Sequence, residues 1–281
     1  MDYNEQSLPE IAKELRRKIF RMILQGGGGH IGGSFSIVEI LTALYFGGVM
    51  RYDHRNPDLP ERDRFILSKG HASAALYAVL AQAGFFEENL LDTFVQPGST
   101  LGGHPNVHEV TGVEASTGAL GHGLSYAAGV ALAGKLDQKD YRVFVLLGDG
   151  ECQEGSVWEA ALFAAHQRLG NLTAIVDYNK LQAMDRLDNI IQMEPLADKW
   201  SAFGWEVTEV DGHNIYALAD ILGQDVVEDG PPRLIIAHTL KGKGVSFMEN
   251  APLWHYRLPN QEEMRIVIEE LGLITEEKEQ A

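Results

Sequence analysis

The sequence predicts an α/β fold, a parallel sheet with helices on both faces, on three observations. Val143-Phe144-Val145-Leu146-Leu147 and the run Leu172 to Val176 are short and apolar without polar alternation, as in strands buried on both faces. Each run stops at an oxygen-bearing turn sequence, Gly148-Asp149-Gly150 in one case and Asp177-Tyr178-Asn179 in the other. Segments of helical period separate them from each other and from two further strand candidates, Glu206–Val210 and Leu234–His238.

The elements follow in order. Leu8, Ile11, Ala12, Leu15, Ile19, Met22 and Ile23 recur at helical spacing, and the basic cluster Arg16, Arg17, Lys18 and Arg21 reads as a solvated face of that helix. The glycine-rich stretch Gly26 to Gly33 follows, with His30 inside it, and reads as a loop that lets a ligand approach the backbone. Ser36-Ile37-Val38-Glu39 has capping-box spacing and opens a helix to about Tyr45. Residues 51–65 are polar and proline-bearing, a long surface connection. His71 to Ala83 is a helix packed through Leu76, Val79 and Leu80 and ended by Gly84. From Phe94 to Gly121 there is turn chemistry only, and His122 to Lys135 is an Ala/Gly-rich helix. A helix from about Ser156 to Leu169 buries Trp158, Ala161, Leu162, Ala165 and Leu169, and another lies around Tyr216–Val227. The acidic end, Glu276 to Ala281, is expected to fray. No repeat or linker interrupts residues 1–281, so one domain is expected, with a helical region over 8–90 packed on a sheet core from about 140.

Composition narrows the function. The chain has 281 residues, 45% hydrophobic and 22% charged, as in an ordinary globular protein. With 23 Lys+Arg against 40 Asp+Glu, the net charge of -17 disfavours nucleic acid and anionic membranes as partners. Cys152 is the single cysteine, which excludes an internal disulfide and fits a reducing compartment. The first residues lack a signal-peptide pattern, and no run nears the ~18 apolar residues of a membrane span, so a soluble, cytoplasmic protein is expected.

In an open parallel sheet, ligands bind where loops leave the carboxyl ends of strands. Two such ends carry Asp149 and Asn179, a carboxylate and an amide oxygen suited to a hard cation such as Mg²⁺ together with phosphate oxygens. Gly150 lets backbone approach a phosphate, and the helix beginning near Ser156 turns its positive end toward it. Gly-Asp-Gly alone is a turn sequence; the matched Asn at the next strand end favours the site.

Gly148-Asp149-Gly150 followed after residues 151–178 by Asn179 resembles the thiamine diphosphate-binding signature, and the chain is similar to the N-terminal, diphosphate-binding third of transketolase. The resemblance runs from His30 to His255 through Gly29-His30-Ile31-Gly32-Gly33, Ser68-Lys69-Gly70-His71, Gly103-His104-Pro105, Thr117-Gly118-Ala119-Leu120-Gly121, Gly148 to Gly155, Asn179-Lys180-Leu181-Gln182, Lys241-Gly242-Lys243-Gly244 and Trp254-His255. It implies a thiamine diphosphate-binding domain of the diphosphate type. Asp149 and Asn179 would hold Mg²⁺ or Ca²⁺ through side chains, and Leu181 through its carbonyl. Gly150, His71 and His255 would contact the diphosphate, and backbone at Gly118, Ala119 and Leu120 the aminopyrimidine. His30 and His104 would face the substrate carbons and move protons, Lys69 and Lys241 would flank the entrance, and Glu154, with Glu159 nearby, would link paired active sites. Imidazoles suit proton transfer near neutral pH, while the cofactor supplies the electron sink. His54, His108, His166, His213 and His238 read as surface or structural, His122 stays undecided, and Cys152 has no nucleophilic part in such chemistry.

Two departures carry consequences. Ile31 stands where the family usually has proline, which implies a less rigid loop around His30. No segment resembles the family's pyrimidine-binding domain, which carries the glutamate that activates the cofactor. The resemblance therefore implies one subunit of a split transketolase, transferring a two-carbon ketol group between sugar phosphates in an α2β2 assembly with a second subunit bearing the pyrimidine-binding and C-terminal domains. The alternatives are a related ketol or acyl transferase of a specialised sugar or natural-product pathway and, less favoured because Asp149 and Asn179 are both present, a non-catalytic regulatory subunit. A nicotinamide enzyme would need its glycine fingerprint between a strand and a helix, whereas Gly26–Gly33 follows a helix.

Overall fold

The computed structural model describes residues 7–227 and 229–273; the acidic end expected to fray lies outside them. Five parallel strands, β1 Arg64–Leu67, β2 Val143–Gly148, β3 Leu172–Tyr178, β4 Glu206–Asp211 and β5 Arg233–His238, form one sheet in the order β1-β2-β3-β5-β4. Successive residues of each inner strand face opposite sides. Phe144, Leu146, Ile175, Ile235 and Ala237 pack into one buried cluster, while Val143, Val145, Leu147, Leu172, Ala174, Val176, Leu234 and Ile236 pack into the other. Both sides of the sheet are therefore covered, which is why these runs lack polar alternation. Edge strand β4 is polar because Val210 alone of its residues is buried.

On the first face lie α1 Leu8–Gln25, α2 Ile31–Phe35, α3 Val38–Phe46, α4 Ser73–Gln82, α9 Ile215–Leu222 and α10 Gln261–Leu271; on the second lie α5 Gly123–Leu136, α6 Gly155–His166 and α8 Leu196–Ala202, with the short α7 Leu187–Ile190 between strands. Asn214 caps α9 by accepting from Ala217 N–H, and Asn260 caps α10 by accepting from Glu262 and Glu263 N–H. The chain builds outward from β1 through β2 to β3, then jumps to the edge at β4 and returns to β5. The winding reverses only at the edge strand β4, and ligands settle where loops leave the carboxyl ends of such strands.

Several expectations need correction. The basic cluster of α1 is not a solvated face: Arg16 is 7% exposed and pairs with Glu39, and Lys18 is 5% exposed and pairs with Glu88. Ser36 and Glu39 form no capping box. The Ser36 hydroxyl donates to Asp177 at 2.7 Å, and Glu39 is taken by Arg16 and His213. Residues 51–65 are not all surface connection, because Asp63 is buried against Arg51 and Arg142 and β1 begins at Arg64. The sheet thus starts inside the helical region read over 8–90. Helix α6 stops at His166 and exposes Leu162, and α9 stops at Leu222. Ile31 is fully buried and opens α2, with His30 as the preceding cap residue.

Candidate active site

The carboxyl ends of the strands collect side chains from six parts of the chain into a cavity of about 300 Å³. His30 and Gly33 reach it from the start of α2, Lys69 and His71 from the loop after β1, and Leu120 from the turn before α5. Gly148, Asp149, Gly150, Glu151, Gln153 and Glu154 come from the end of β2, Asn179, Leu181, Gln182 and Ala183 from the end of β3, and Lys241 and His255 from beyond β5.

The two strand tips stand side by side because Gly148 pairs with Asp177 across β2 and β3. Asp149, 3% exposed, accepts from the N–H of Gly150 at 2.7 Å and from the N–H of Lys180, where the chain turns at positive φ. Asn179, 6% exposed, accepts from Leu181 N–H through Oδ1 at 3.1 Å and donates through Nδ2 to Asp177 Oδ2 at 2.8 Å. Burial, reinforced by the charge of Asp177, pushes the Asp149 carboxyl up to about 7 despite those two backbone donors. A nearby divalent cation would favour the charged form of such a group. Among the described residues no three His, Cys, Asp or Glu side chains converge as a metal site. The candidate set is mixed, one carboxylate, one amide oxygen and one backbone carbonyl, which suits a cation that retains water and phosphate oxygens. The Leu181 carbonyl in this set accepts from the Lys241 ammonium at 3.2 Å.

Imidazoles form the opposite wall. The ring of His30 lies 5.2 Å from that of His71, 5.0 Å from His255, 6.4 Å from His104 and 4.9 Å from Tyr256. Burial, then the neighbouring His104, Lys241 and Lys69, lowers His30 to about 4. Burial, then Lys241, lowers His255 to about 3, and burial with Lys69 holds His71 well below its ordinary value. These three rings are neutral at pH 7, each with one N–H to donate and one nitrogen to accept. His104 is exposed beside Gly118, whose φ of +144° and missing Cβ admit the His104 ring; a Cβ there would lie 2.9 Å from it. Ala119 is exposed and Leu120 lines the cavity. Glu154 stands exposed as the cap residue of α6, and Glu159 is exposed one turn on.

Lys69 and Lys241 do not flank an entrance; they are 2% and 3% exposed and form the interior of the wall. Lys69 pairs with Asp177 and donates to Gly33 O at 3.1 Å. Lys241 also donates to Gln182 O at 3.1 Å and lies 3.0 Å from His255 Nδ1; burial, then Lys69, lowers it to about 8.

Two carboxylates carry structural roles that their local sequence does not announce. Asp177, fully buried, accepts from Lys69, Ser36, Asn179 and Thr239, tying the ends of β1, β3 and β5 to the start of α3. Burial raises its carboxyl, but Lys69 and these donors outweigh it and hold it below the usual range. Glu151 accepts from Ser68, from Gly148 N–H at 3.0 Å and from Gly121 N–H at 2.9 Å, anchoring the turn that carries Gly118 to Leu120. Asp177 stands two residues before a matched motif, yet nothing in its immediate sequence marks it as a hub. Cys152 is fully buried, and burial lifts its thiol well above the ordinary value. His213 is held structurally between Glu39 and Leu240 N–H, and His122 is exposed with Nδ1 3.0 Å from Leu120 O.

Residues 9–279 match the family model described as "Transketolase, thiamine diphosphate binding domain". The chain is 45% identical over 272 residues to one of the named subunits of the apulose-4-phosphate transketolase of Actinobacillus succinogenes, covering 96% of this chain and 97% of that one. It is 42% identical over 271 residues to the 6-deoxy-6-sulfo-D-fructose transketolase subunit SqwG of a Clostridium species, covering 96% and 98%. Human transketolase is 41% identical over 275 residues, 97% of this chain but 43% of the human protein. Among solved structures, a transketolase variant from Pichia stipitis superposes with a TM-score of 0.87 at 28% identity, covering 95% of this chain and 41% of that one. The chain thus spans about two fifths of these longer transketolases and nearly the whole of the relatives named as subunits. It belongs to the transketolase family, as a thiamine diphosphate-binding domain equal in extent to the family's separately encoded subunits.

Proposed function

We propose that this chain binds thiamine diphosphate through Mg²⁺ or Ca²⁺ and, with a second subunit carrying the pyrimidine-binding and C-terminal domains, transfers a two-carbon ketol group from a ketose phosphate to an aldose phosphate. The observation that carries the proposal is the meeting, in one cavity, of the Asp149 and Asn179 strand tips with neutral His30, His71 and His255 and the ammonium groups of Lys69 and Lys241. The residues present fit the cofactor. Buried cations and imidazole N–H groups suit a diphosphate, and Asp149 suits the ion that accompanies it.

Asp149 and Asn179 would hold the ion, with the Leu181 carbonyl once Lys241 yields it. His71, His255 and Lys241 would receive the diphosphate, which Gly150, having no side chain, would let lie close to the backbone, and Gly118, Ala119 and Leu120 would face the pyrimidine. When bound, the cofactor supplies the electron sink for the carbon fragment left by C–C cleavage. His30, neutral and half-buried, accepts a hydroxyl proton at an imidazole nitrogen and returns it. His104, exposed with its ring 6.4 Å from that of His30, orients the sugar hydroxyls, and His255 contributes a second imidazole to the same proton traffic. The buried walls keep bulk water away from the reacting carbon.

A partner is supported by the names and matching lengths of the relatives that are themselves subunits, and by the large apolar side chains left exposed on α5 (Tyr126) and α6 (Leu162 and Phe163). We read Glu154 and Glu159, exposed on this side, as facing a second copy in an α2β2 assembly. Residues 1–281 are read as one domain, in keeping with a family model that runs through them. No helix among the described residues is long and apolar enough to cross a membrane; the cytoplasm and the pentose phosphate reactions are part of the proposal. A specialised sugar is the second reading, favoured by relatives named for apulose 4-phosphate and 6-deoxy-6-sulfo-D-fructose.

The test is reconstitution with a separate chain bearing the pyrimidine-binding and C-terminal domains, assayed for ketol transfer from a panel of ketose phosphates and sulfonated or branched analogues. Transfer that requires both chains and thiamine diphosphate supports the proposal, and the preferred donor separates the two readings. Absence of transfer with every donor, despite cofactor binding, contradicts it.

A further inference from the structure

One side chain lining the cavity has no role in the assignments above. Gln182 follows the proposed metal-binding carbonyl of Leu181 in a tight turn closed by the Leu181–Arg186 bridge. Its backbone is fully engaged: the N–H donates to Asp185 O at 2.9 Å, and the carbonyl accepts from Lys241 at 3.1 Å. The side chain folds back over Gly150. A Cβ on Gly150 would lie 2.9 Å from Gln182 Cγ and 3.3 Å from Nε2, so glycine at 150 is what lets the amide lie against this backbone.

Gln182 Nε2 is shut off from solvent and has no hydrogen-bond partner. Burying an amide nitrogen without a partner is costly, and such a group is retained where something else completes it. Lys69, Lys241, His71, His255 and Gly150 line the same cavity as Gln182. The Gly150 N–H is already committed to Asp149. The free amide donor therefore sits where the backbone N–H is not available to an anion.

We propose that Gln182 Nε2 donates a hydrogen bond to an anionic oxygen of the diphosphate, supplying over Gly150 the donor that the Gly150 backbone gives to Asp149. The inference rests on the cofactor reading above. A neutral donor to a charged oxygen contributes enough that its loss weakens binding roughly 10- to 100-fold.

The experiment is calorimetric titration of the full chain and of Gln182→Met and Gln182→Glu with Mg²⁺–thiamine diphosphate and, separately, with Mg²⁺–pyrophosphate. Methionine keeps the length without the donor, and glutamate keeps the shape but presents negative charge. The proposal predicts wild type tightest, Gln182→Met at least tenfold weaker and Gln182→Glu weaker still, with the same order for pyrophosphate. Melting temperatures of the ligand-free proteins identify any variant that fails to fold, in which case the other decides. Binding by Gln182→Met within twofold of wild type, or Gln182→Glu as tight as wild type, overturns the inference. So does a loss confined to thiamine diphosphate and absent with pyrophosphate. If the wild-type chain binds neither probe, the cofactor reading itself fails.

Discussion

The hydrogen bond from Asn179 Nδ2 to Asp177 Oδ2, 2.8 Å long, decides which end of the Asn179 amide is available as a ligand. With the nitrogen committed to Asp177, the oxygen is the end left toward Leu181 N–H and the neighbouring Asp149 tip. Asp177 is in turn held by Lys69, so the orientation of one amide depends on a buried ion pair. Asp177→Ala should destabilise the chain by about 3–5 kcal/mol, because the Lys69 charge is left buried without its partner. Urea denaturation measures this, and a loss under about 1 kcal/mol would show that the pair is not structural.

Acid stability should depend on Glu39, far from the cavity chemistry. Burial raises its carboxyl, but the bond from His213 and the charge and hydrogen bonds of Arg16 outweigh burial and hold it at about 2 against an ordinary 4.5. A carboxyl lowered on folding stabilises fully above its unfolded value, and that stability drains away as pH falls from 4.5 toward 2. The contribution is about 3 kcal/mol. Glu39→Gln should flatten the dependence of unfolding free energy on pH in that window. An unchanged slope would assign the acid limb to other groups.

Two glycines should respond oppositely to alanine. At Gly118, φ of +144° and the His104 ring 2.9 Å from a new Cβ make the substitution strained, so cofactor binding and stability should both fall. Gly129 lies inside α5 with nothing within 4 Å of a new Cβ, and Gly129→Ala should stabilise the chain by about 1 kcal/mol. Melting curves of the two variants report both effects, and a stabilised Gly118→Ala would show that this turn is not strained by a side chain.

His104→Ala in the reconstituted enzyme should lower kcat by roughly 10²-fold or more while changing cofactor affinity little, because the exposed ring lies 6.4 Å from His30 and outside the residues that line the cavity. The reverse split, intact kcat with weakened cofactor binding, would place His104 on the diphosphate.

How far the site was readable follows from these residues. The strand tips were legible because buried parallel strands lose polar alternation and end abruptly, so Asp149 and Asn179 stand out after Val143–Leu147 and Leu172–Val176. The histidines were legible through ordered motifs, and their rings do converge around His30. What escaped was set by long-range pairing. Arg16 and Lys18 sit in a basic run that looks solvated, yet Glu39 and Glu88 draw them inward from other elements. Ser36 carries a capping sequence whose hydroxyl is claimed by Asp177 instead, a competition no local pattern encodes. β1, four residues long within a proline-bearing stretch, was too short to show a period. Leu162 of α6 fits the apolar helical spacing yet stands exposed, so the period alone did not report its burial.

The central claim is that the tips of β2 and β3 grip the diphosphate through a divalent ion. Calorimetric titration of the full chain with thiamine diphosphate, with and without Mg²⁺, tests it most directly when repeated on Asp149→Ala and Asn179→Ala. Tight binding only with Mg²⁺ is predicted for the wild type, and loss of that metal dependence in both variants. Equal affinity with and without the metal, or wild-type behaviour in either variant, would contradict it.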